Sequence, residues 1–373
     1  MRSKTLALAA VGAGVALVLS ACGANEAPAP GGGGSTSGAS TPSGGTKIGV
    51  ILPETASSAR WEGFDKPMIQ EAMRAQGLDA DVQNAQGDTA TFTRLADGMI
   101  TQGVKVLVIA SINSELGKTV AAKAANAGIP VIDYDRLNLG GSSKYYVSFD
   151  NTKVGELQGA AMAEALKSKP GAQVIEIEGA PTDNNATLFH AGQQKVLKPL
   201  YDSGALKLVK SQPIDNWDNQ KGGQQFEQIL TQNGGKVDGV VAANDGLAGA
   251  VITVLNKNGL KVPVTGQDAT AAGLQAVLRG DQYMTVFKPI KQEAEAAAKL
   301  AAALAKGDTA AADAIATQTE KDPTGNRDVK SVLLTPQTIT KANVKDVIAA
   351  GYVKVSEVCT GDVAPLCAAN GIS

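Results

Sequence analysis

The chain has 373 residues, 43% hydrophobic, 19% charged and 4% aromatic, a length that suits two domains better than one. Lys and Arg number 34 against 36 Asp and Glu, for a net charge of −2, so there is no basic footprint for nucleic acid. One histidine, His190, and three cysteines, Cys22, Cys359 and Cys367, exclude most His-dependent chemistry; a Cys/His zinc site would consume every candidate at spacings of no zinc pattern, and neither metal nor cofactor is expected.

Residues 1–21 read as a signal peptide. Arg2 and Lys4 form a basic start, and the apolar stretch from Leu6 to Leu19 has 14 residues, too few to span a bilayer comfortably. It ends in Leu19-Ser20-Ala21-Cys22, which resembles the lipobox of bacterial lipoproteins, where cleavage precedes the Cys and its thiol is lipidated. An ordinary cleaved signal with a chance cysteine is the alternative. Residues 22–46 are then a lipidated Cys and a linker. Residues 23–46 hold no aromatic residue and a single charge, Glu26, so they cannot bury enough apolar surface to fold. As a coil the linker spans roughly 25–30 Å. Acyl chains on Cys22 would anchor the protein to the cell membrane, outside the cytoplasm.

From residue 47 short β-branched runs alternate with segments of helical periodicity. The runs are KIGVIL (47–52), DADVQN (79–84), VKVLVIA (104–110), IPVIDY (129–134) and YYVSF (145–149). A second series follows: AQVIEIE (172–178), LKLVKS (206–211), VDGVVAA (237–243), VPVTG (262–266) and YMTVF (283–287). Near-continuous apolar strands separated by helices indicate parallel sheets covered on both faces. Two series indicate an α/β protein of two doubly wound lobes. The late helix Pro289–Lys306 is expected to return to the first lobe, and the run VKSVLL (329–334) to join the second. The expected division is 47–149 with about 289–326, 150–288 with about 327–353, and a tail, 354–373. In that tail Cys359 and Cys367, eight apart, suit a disulfide in an oxidising compartment, two free thiols being the rival.

In open parallel sheets, ligands sit beyond the carboxyl ends of the strands. Those ends carry Arg60 and Trp61; Asp135 and Arg136; Asp183, Asn184 and Asn185; Asp215, Asn216 and Trp217; Asn244 and Asp245; Gln267 and Asp268; and Lys288. Asp and Asn after a strand commonly cap the next helix or form a turn, the reading preferred for Asn184, Asp215 and Asp245. Both tryptophans of an aromatic-poor chain fall in this set. Its cations Arg60, Arg136 and Lys288 balance its anions Asp135, Asp183 and Asp268, which argues against a strongly charged ligand. Many donors and acceptors without net charge suit a polyol, because a carboxylate accepts from adjacent hydroxyls while Arg, Lys and Asn donate. Trp faces would cover the C–H faces of a ring. A neutral monosaccharide is the inferred ligand.

Several stretches resemble the sugar-binding family of type I periplasmic binding proteins, most closely its D-xylose-binding members in ABC transporters. They are Arg60-Trp61, Tyr134-Asp135-Arg136, SFDNTKVGELQ (148–158), DNNATLFHAGQQKVLKP (183–199), AAND (242–245), GQDA (266–269) and MTVFKP (284–289), within a resemblance covering roughly 47–353. The resemblance implies two lobes joined by three hinge strands and closing over a sugar. It implies binding roles for Arg60, Trp61, Asp135, Arg136, Asp183, Asn185, Trp217, Asn244, Asp268 and Lys288, a monomer, no catalysis, and delivery to an ABC permease in the membrane. Ala59 stands where an acidic residue looks usual, and the linker and Cys tail depart from the family pattern.

D-Xylose is the favoured ligand, with glucose or another aldose as the alternative, since one methylol group separates xylose from glucose. A receptor reporting sugar occupancy to a sensor kinase would share fold and site. A glycosidase pairing Asp135 with Asp183 is disfavoured, because Arg136 or Asn185 stands close to each in sequence and suits hydroxyl binding. A sugar-responsive repressor is disfavoured by the lipobox and by the lack of a basic DNA-binding segment before residue 47. His190 is assigned a helix-surface or packing role.

Overall fold

The computed structural model describes residues 46–55 and 57–372; the expected signal peptide, the lipidated Cys22 and nearly all of the linker lie outside them. The first apolar series forms β1 (Thr46–Leu52), β2 (Leu78–Asn84), β3 (Val106–Ile109), β4 (Val131–Tyr134) and β5 (Tyr145–Phe149), in the parallel order β2-β1-β3-β4-β5. Helices α1 (Lys66–Ala75), α2 (Thr89–Thr101) and α3 (Ser114–Asn126) make the crossovers. Asp88 and Asn113 start α2 and α3 by accepting from Thr91 N and Leu116 N. Alternate residues of each strand serve two cores. Ile48, Val50 and Leu52 pack with α1, while Ile51, Leu107 and Ile109 pack with α2 and α3.

The second series begins after α4 (Asn151–Leu166) with β6 (Ala172–Glu178), α5 (Asn184–Asp202), β7 (Leu206–Pro213), α6 (Asn219–Gln232), β8 (Gly239–Ala242) and α7 (Asp245–Lys257). Its parallel core has the order β7-β6-β8. The run 262–266, expected as a full strand, makes one parallel bridge, Val264 with Val240. After α8 (Ala271–Arg279) comes β9 (Thr285–Phe287), tied to that run by Tyr283 N donating to Val264 O at 2.8 Å and Val286 N to Gly266 O at 3.2 Å.

The chain then continues through α9 (Ile290–Ala305), α10 (Thr309–Ile315), β10 (Gln318–Asp322), β11 (Arg327–Leu334) and β12 (Gln337–Ile339). Helix α9 packs on the first sheet, where Ala294, Ala297 and Leu300 share a core with Ile48 and Val50. The run 329–334 corrects the sequence reading. It belongs to β11, a parallel partner of β5 in the first sheet, and β10 pairs antiparallel on its outer side to complete seven strands. Only β12 joins the second half, antiparallel to β9. A strand's partner is set by long-range register, which its local residues do not encode. The chain therefore passes three times between the seven-stranded sheet and the half that holds β6–β9 and β12, after β5, β9 and β11.

The C-terminal segment carries α11 (Val344–Ala349), α12 (Val355–Val358) and α13 (Ala364–Ala369), and Cys359 and Cys367 are joined in a disulfide. Val358, Val363, Cys367 and Ile372 are buried with Leu274, Val277 and Leu278 of α8. Tyr352 stacks on Phe64 at 4.2 Å and meets Phe287 edge-on at 5.0 Å. Among the described residues no helix is long and apolar enough to cross a membrane.

Candidate functional site

Every residue singled out at a strand end and named as a binding candidate lines one buried cavity between the two sheets: Arg60, Trp61, Asp135, Arg136, Asp183, Asn185, Trp217, Asn244, Asp268 and Lys288. The elements explain the convergence. Arg60 and Trp61 follow β1, Asp135 and Arg136 follow β4, Asp183 caps α5 after β6, Asn244 caps α7 after β8, and Lys288 ends β9. Several of these turns use the left-handed region, at Asp135 (φ 59°), Trp217 (φ 55°) and Asp268 (φ 96°). Such conformations cost energy in non-glycine residues, and here they aim side chains back over the strand ends.

The charges are buried and interleaved, with Arg60, Arg136 and Lys288 set among six carboxylates. Arg60 donates from Nη1 to Asp135 Oδ2 at 2.6 Å, and turns its other edge to Asp65 at 2.7 and 2.8 Å and to Glu293 at 3.0 Å. Arg136 donates to Glu54 Oε1 at 2.7 Å and lies 3.0 Å from Asp183 Oδ2, which also accepts from Trp217 Nε1 at 3.1 Å. Lys288 Nζ stands 3.3 Å from Asp268 and 3.8 Å from Asp135. Burial pushes the Asp135 carboxyl up, but the charges of Arg60, Lys288 and Arg136 outweigh burial and hold it at about 2. Burial, in contrast, leaves Asp183 raised despite Arg136. The guanidinium of Arg60 lies 4.4 Å from the centroid of the Trp61 ring, and that of Arg136 lies 5.3 Å from it, both within cation–π range.

Residues from the two halves touch across the cavity. Ser58 Oγ donates to Asp268 Oδ2 at 2.9 Å, Asn244 Nδ2 to Ser57 O at 3.2 Å, and Asn185 Nδ2 to Asp135 O at 2.9 Å. Asn244 and Asp183 also accept from the first turns of their helices, so cap and lining are the same side chains. Asp245, read as a cap or turn residue, is instead buried one layer behind, accepting from Gln282, Thr285 and Thr270. Ser57, Ser58, Phe189 and Gln267 also line the cavity. Gln267 was in view as a strand-end residue, whereas Phe189, one helical turn after Asn185, carries the signature of core. Glu54, Asp65 and Glu293 hold the arginines from behind, and nothing in their spacing marked them.

Residues 48–309 match the model of a periplasmic binding protein domain. The chain belongs to the periplasmic binding protein family. As a periplasmic binding protein it has the type I fold, with two lobes joined by three crossings, and it is a solute-binding protein rather than an enzyme. It is 40% identical over 314 residues to the D-xylose-binding periplasmic protein of Escherichia coli, covering 83% of this chain and 92% of that one. It is 35% identical to a multiple sugar-binding periplasmic receptor of Rhizobium radiobacter, covering 83% and 91%. Among solved structures, an ABC transporter solute-binding protein of Clostridium phytofermentans with bound β-D-glucose superposes with a TM-score of 0.78 at 31% identity, covering 84% of this chain and 99% of that one.

Proposed function

We propose that this binding protein captures a neutral monosaccharide, D-xylose by preference, between its lobes and delivers it to an ABC importer. The observation that carries the reading is the buried ring of carboxylates, amides and cations contributed by both halves and closed by two indoles. Asp135, Asp183 and Asp268 would accept from sugar hydroxyls; Arg60, Arg136, Asn185, Asn244 and Lys288 would donate; Trp61 and Trp217 would cover the ring faces. The 40% identity to a D-xylose-binding protein supports xylose; the glucose-bound neighbour makes D-glucose the competitor. The lobes are assigned as 47–149 with 289–334 and as 150–288 with 335–353, the β11 pairing moving the earlier boundary. Cys22 would tether the protein by acyl chains to the outer face of the cell membrane.

The test is a thermal-shift and calorimetric comparison of D-xylose, D-glucose, D-ribose and L-arabinose. A ligand specific for the folded state stabilises it by RT ln(1 + [L]/Kd), about 2.7 kcal/mol at a hundredfold excess over Kd. The expected order places D-xylose first. No stabilisation by any of these sugars would overturn the reading.

A further inference from the structure

Behind the cavity, two carboxylates and the chain's one histidine converge between β6 and α5. Glu176 and Glu178 are two apart on β6, so their side chains leave the same face of the strand. Both are buried. That face is covered by α5, which contributes His190, Gln193, Gln194 and Tyr201. Gln194 Nε2 and Tyr201 OH each donate to Glu176 Oε1 at 2.9 Å. The second oxygen, Oε2, is shut off from solvent and has no hydrogen-bond partner. It faces His190 Nδ1 at 3.9 Å, and Glu178 Oε1 lies 3.4 Å from the same nitrogen. The amide of Gln193 sits against Glu178, with 2.7 Å to Oε1 when its nitrogen is turned to donate. Among the described residues neither carboxylate has a Lys or Arg ion pair; the imidazole is their cationic neighbour.

Two buried carboxylates beside one imidazole leave an excess of negative charge where desolvation is costly. A dication would remove that excess while leaving the imidazole neutral. The spacing suits one. Zinc bonds to imidazole and carboxylate near 2.0–2.2 Å place tetrahedral ligand atoms about 3.3–3.6 Å apart. The three donor atoms here lie within 4.8 Å of one another; the 3.4 Å from His190 to Glu178 is at that edge length, and the 3.9 Å to Glu176 is somewhat longer. The His190 side chain is 41% exposed, while its Nδ1, facing the two carboxylates, is shut off from solvent.

We propose that Glu176, Glu178 and His190 bind a divalent ion of the zinc class, with water as fourth ligand, pinning α5 to β6. The sequence expectation of no metal rests on the lack of a Cys/His zinc pattern, whereas this cluster offers two carboxylates and one imidazole. The bound ion would stiffen the turn from β6 into α5, which presents Asp183 and Asn185 to the cavity.

The test uses untagged protein stripped with a chelator, titrated with ZnCl2 by calorimetry and with Co2+ by visible absorption. The expected result is a single saturable ion per chain, the strong absorption bands of four-coordinate cobalt, and a rise in melting temperature with zinc. His190→Ala and Glu176→Gln should each weaken binding by at least about ten- to a hundredfold, the scale of losing even an outer-shell partner. D-Xylose titrated into His190→Ala separates this site from the cavity, since sugar binding should persist there whatever becomes of the metal. Should Glu176→Gln fail to fold, His190→Ala, a change at a half-exposed side chain, decides alone. Absence of both zinc heat and cobalt bands, or metal binding unchanged in His190→Ala, would overturn the proposal.

Discussion

Asp135 is the residue on which the most cavity contacts depend, because Arg60, Lys288 and Asn185 all converge on it. Losing a hydrogen bond to a charged group costs roughly 1.5–3 kcal/mol, and each 1.4 kcal/mol is about tenfold in affinity. Asp135→Ala and Asp268→Ala should therefore each weaken sugar binding about ten- to a hundredfold or more by calorimetry, with circular dichroism unchanged. Gly179 carries a subtler dependence. A Cβ there would lie 2.1 Å from the Trp217 ring. Gly179→Ala must displace the indole, so it should lower affinity in the same assay. Proton linkage is read at Asp245, which burial raises to about 7 against its hydrogen bonds from Gln282 and Thr285, with the Asp268 charge adding to the rise. Its folded form keeps a proton that the unfolded chain releases above about pH 3.9, so its contribution to stability falls as pH climbs from about 4 to about 7. Asp133, raised to about 6 by burial, adds to the same slope up to that pH. Melting temperatures of Asp245→Asn measured from about pH 5 to 8 should show a flatter decline than wild type. Asp135, held at about 2, contributes stability at pH values above its unfolded value and loses it only as pH falls through about 2.

Helices α4 and α5 meet with backbone against backbone. A Cβ on Gly155 would stand 1.9 Å from Phe189 O, and one on Gly192 would stand 2.0 Å from Thr152 O. Gly155→Ala must force the helices apart, and overpacking of this kind costs typically 1–3 kcal/mol. Chemical denaturation should register that loss, and because α5 carries Asn185 and Phe189, affinity should fall with it. The disulfide acts on another element. It closes a short loop worth roughly 2–3 kcal/mol of unfolded-state entropy, and the segment it closes packs on α8. Reduction should add about two daltons and lower the melting temperature. The elements also mark where sequence reading stops. The apolar runs of β1 to β8 announced themselves through β-branched residues between helical segments. β10 did not, since QTEKD has no apolar pattern. The placement of β11 was missed because VKSVLL suits either sheet equally, and only pairing with β5 decides.

At the scale of the molecule, the binding candidates were legible because parallel strands present their carboxyl ends together, so polar residues scattered over more than two hundred positions reach one cavity. What holds them was not legible. Asp65 and Glu293 neutralise Arg60 from a helical turn and a helix remote from each other in sequence, and no spacing rule joins them. The proposed tether can be tested on the whole chain: Cys22→Ala should appear in the culture medium or persist as uncleaved precursor, whereas wild type sediments with membranes. The burial of the cavity charges, every cation among them ion-paired, has a consequence for the conditions under which the protein can work. Exposed charges attract a ligand through a field that dissolved ions screen within about 10 Å at 0.1 M. Here Arg60 is paired with Asp65, Asp135 and Glu293, Arg136 with Glu54 and Asp183, and Lys288 with Asp268, all removed from solvent. Counter-ions have nothing to displace, and an uncharged ligand brings none. Raising NaCl from about 50 mM to about 500 mM should leave the dissociation constant within about twofold, so capture would run as well in brine as in dilute medium.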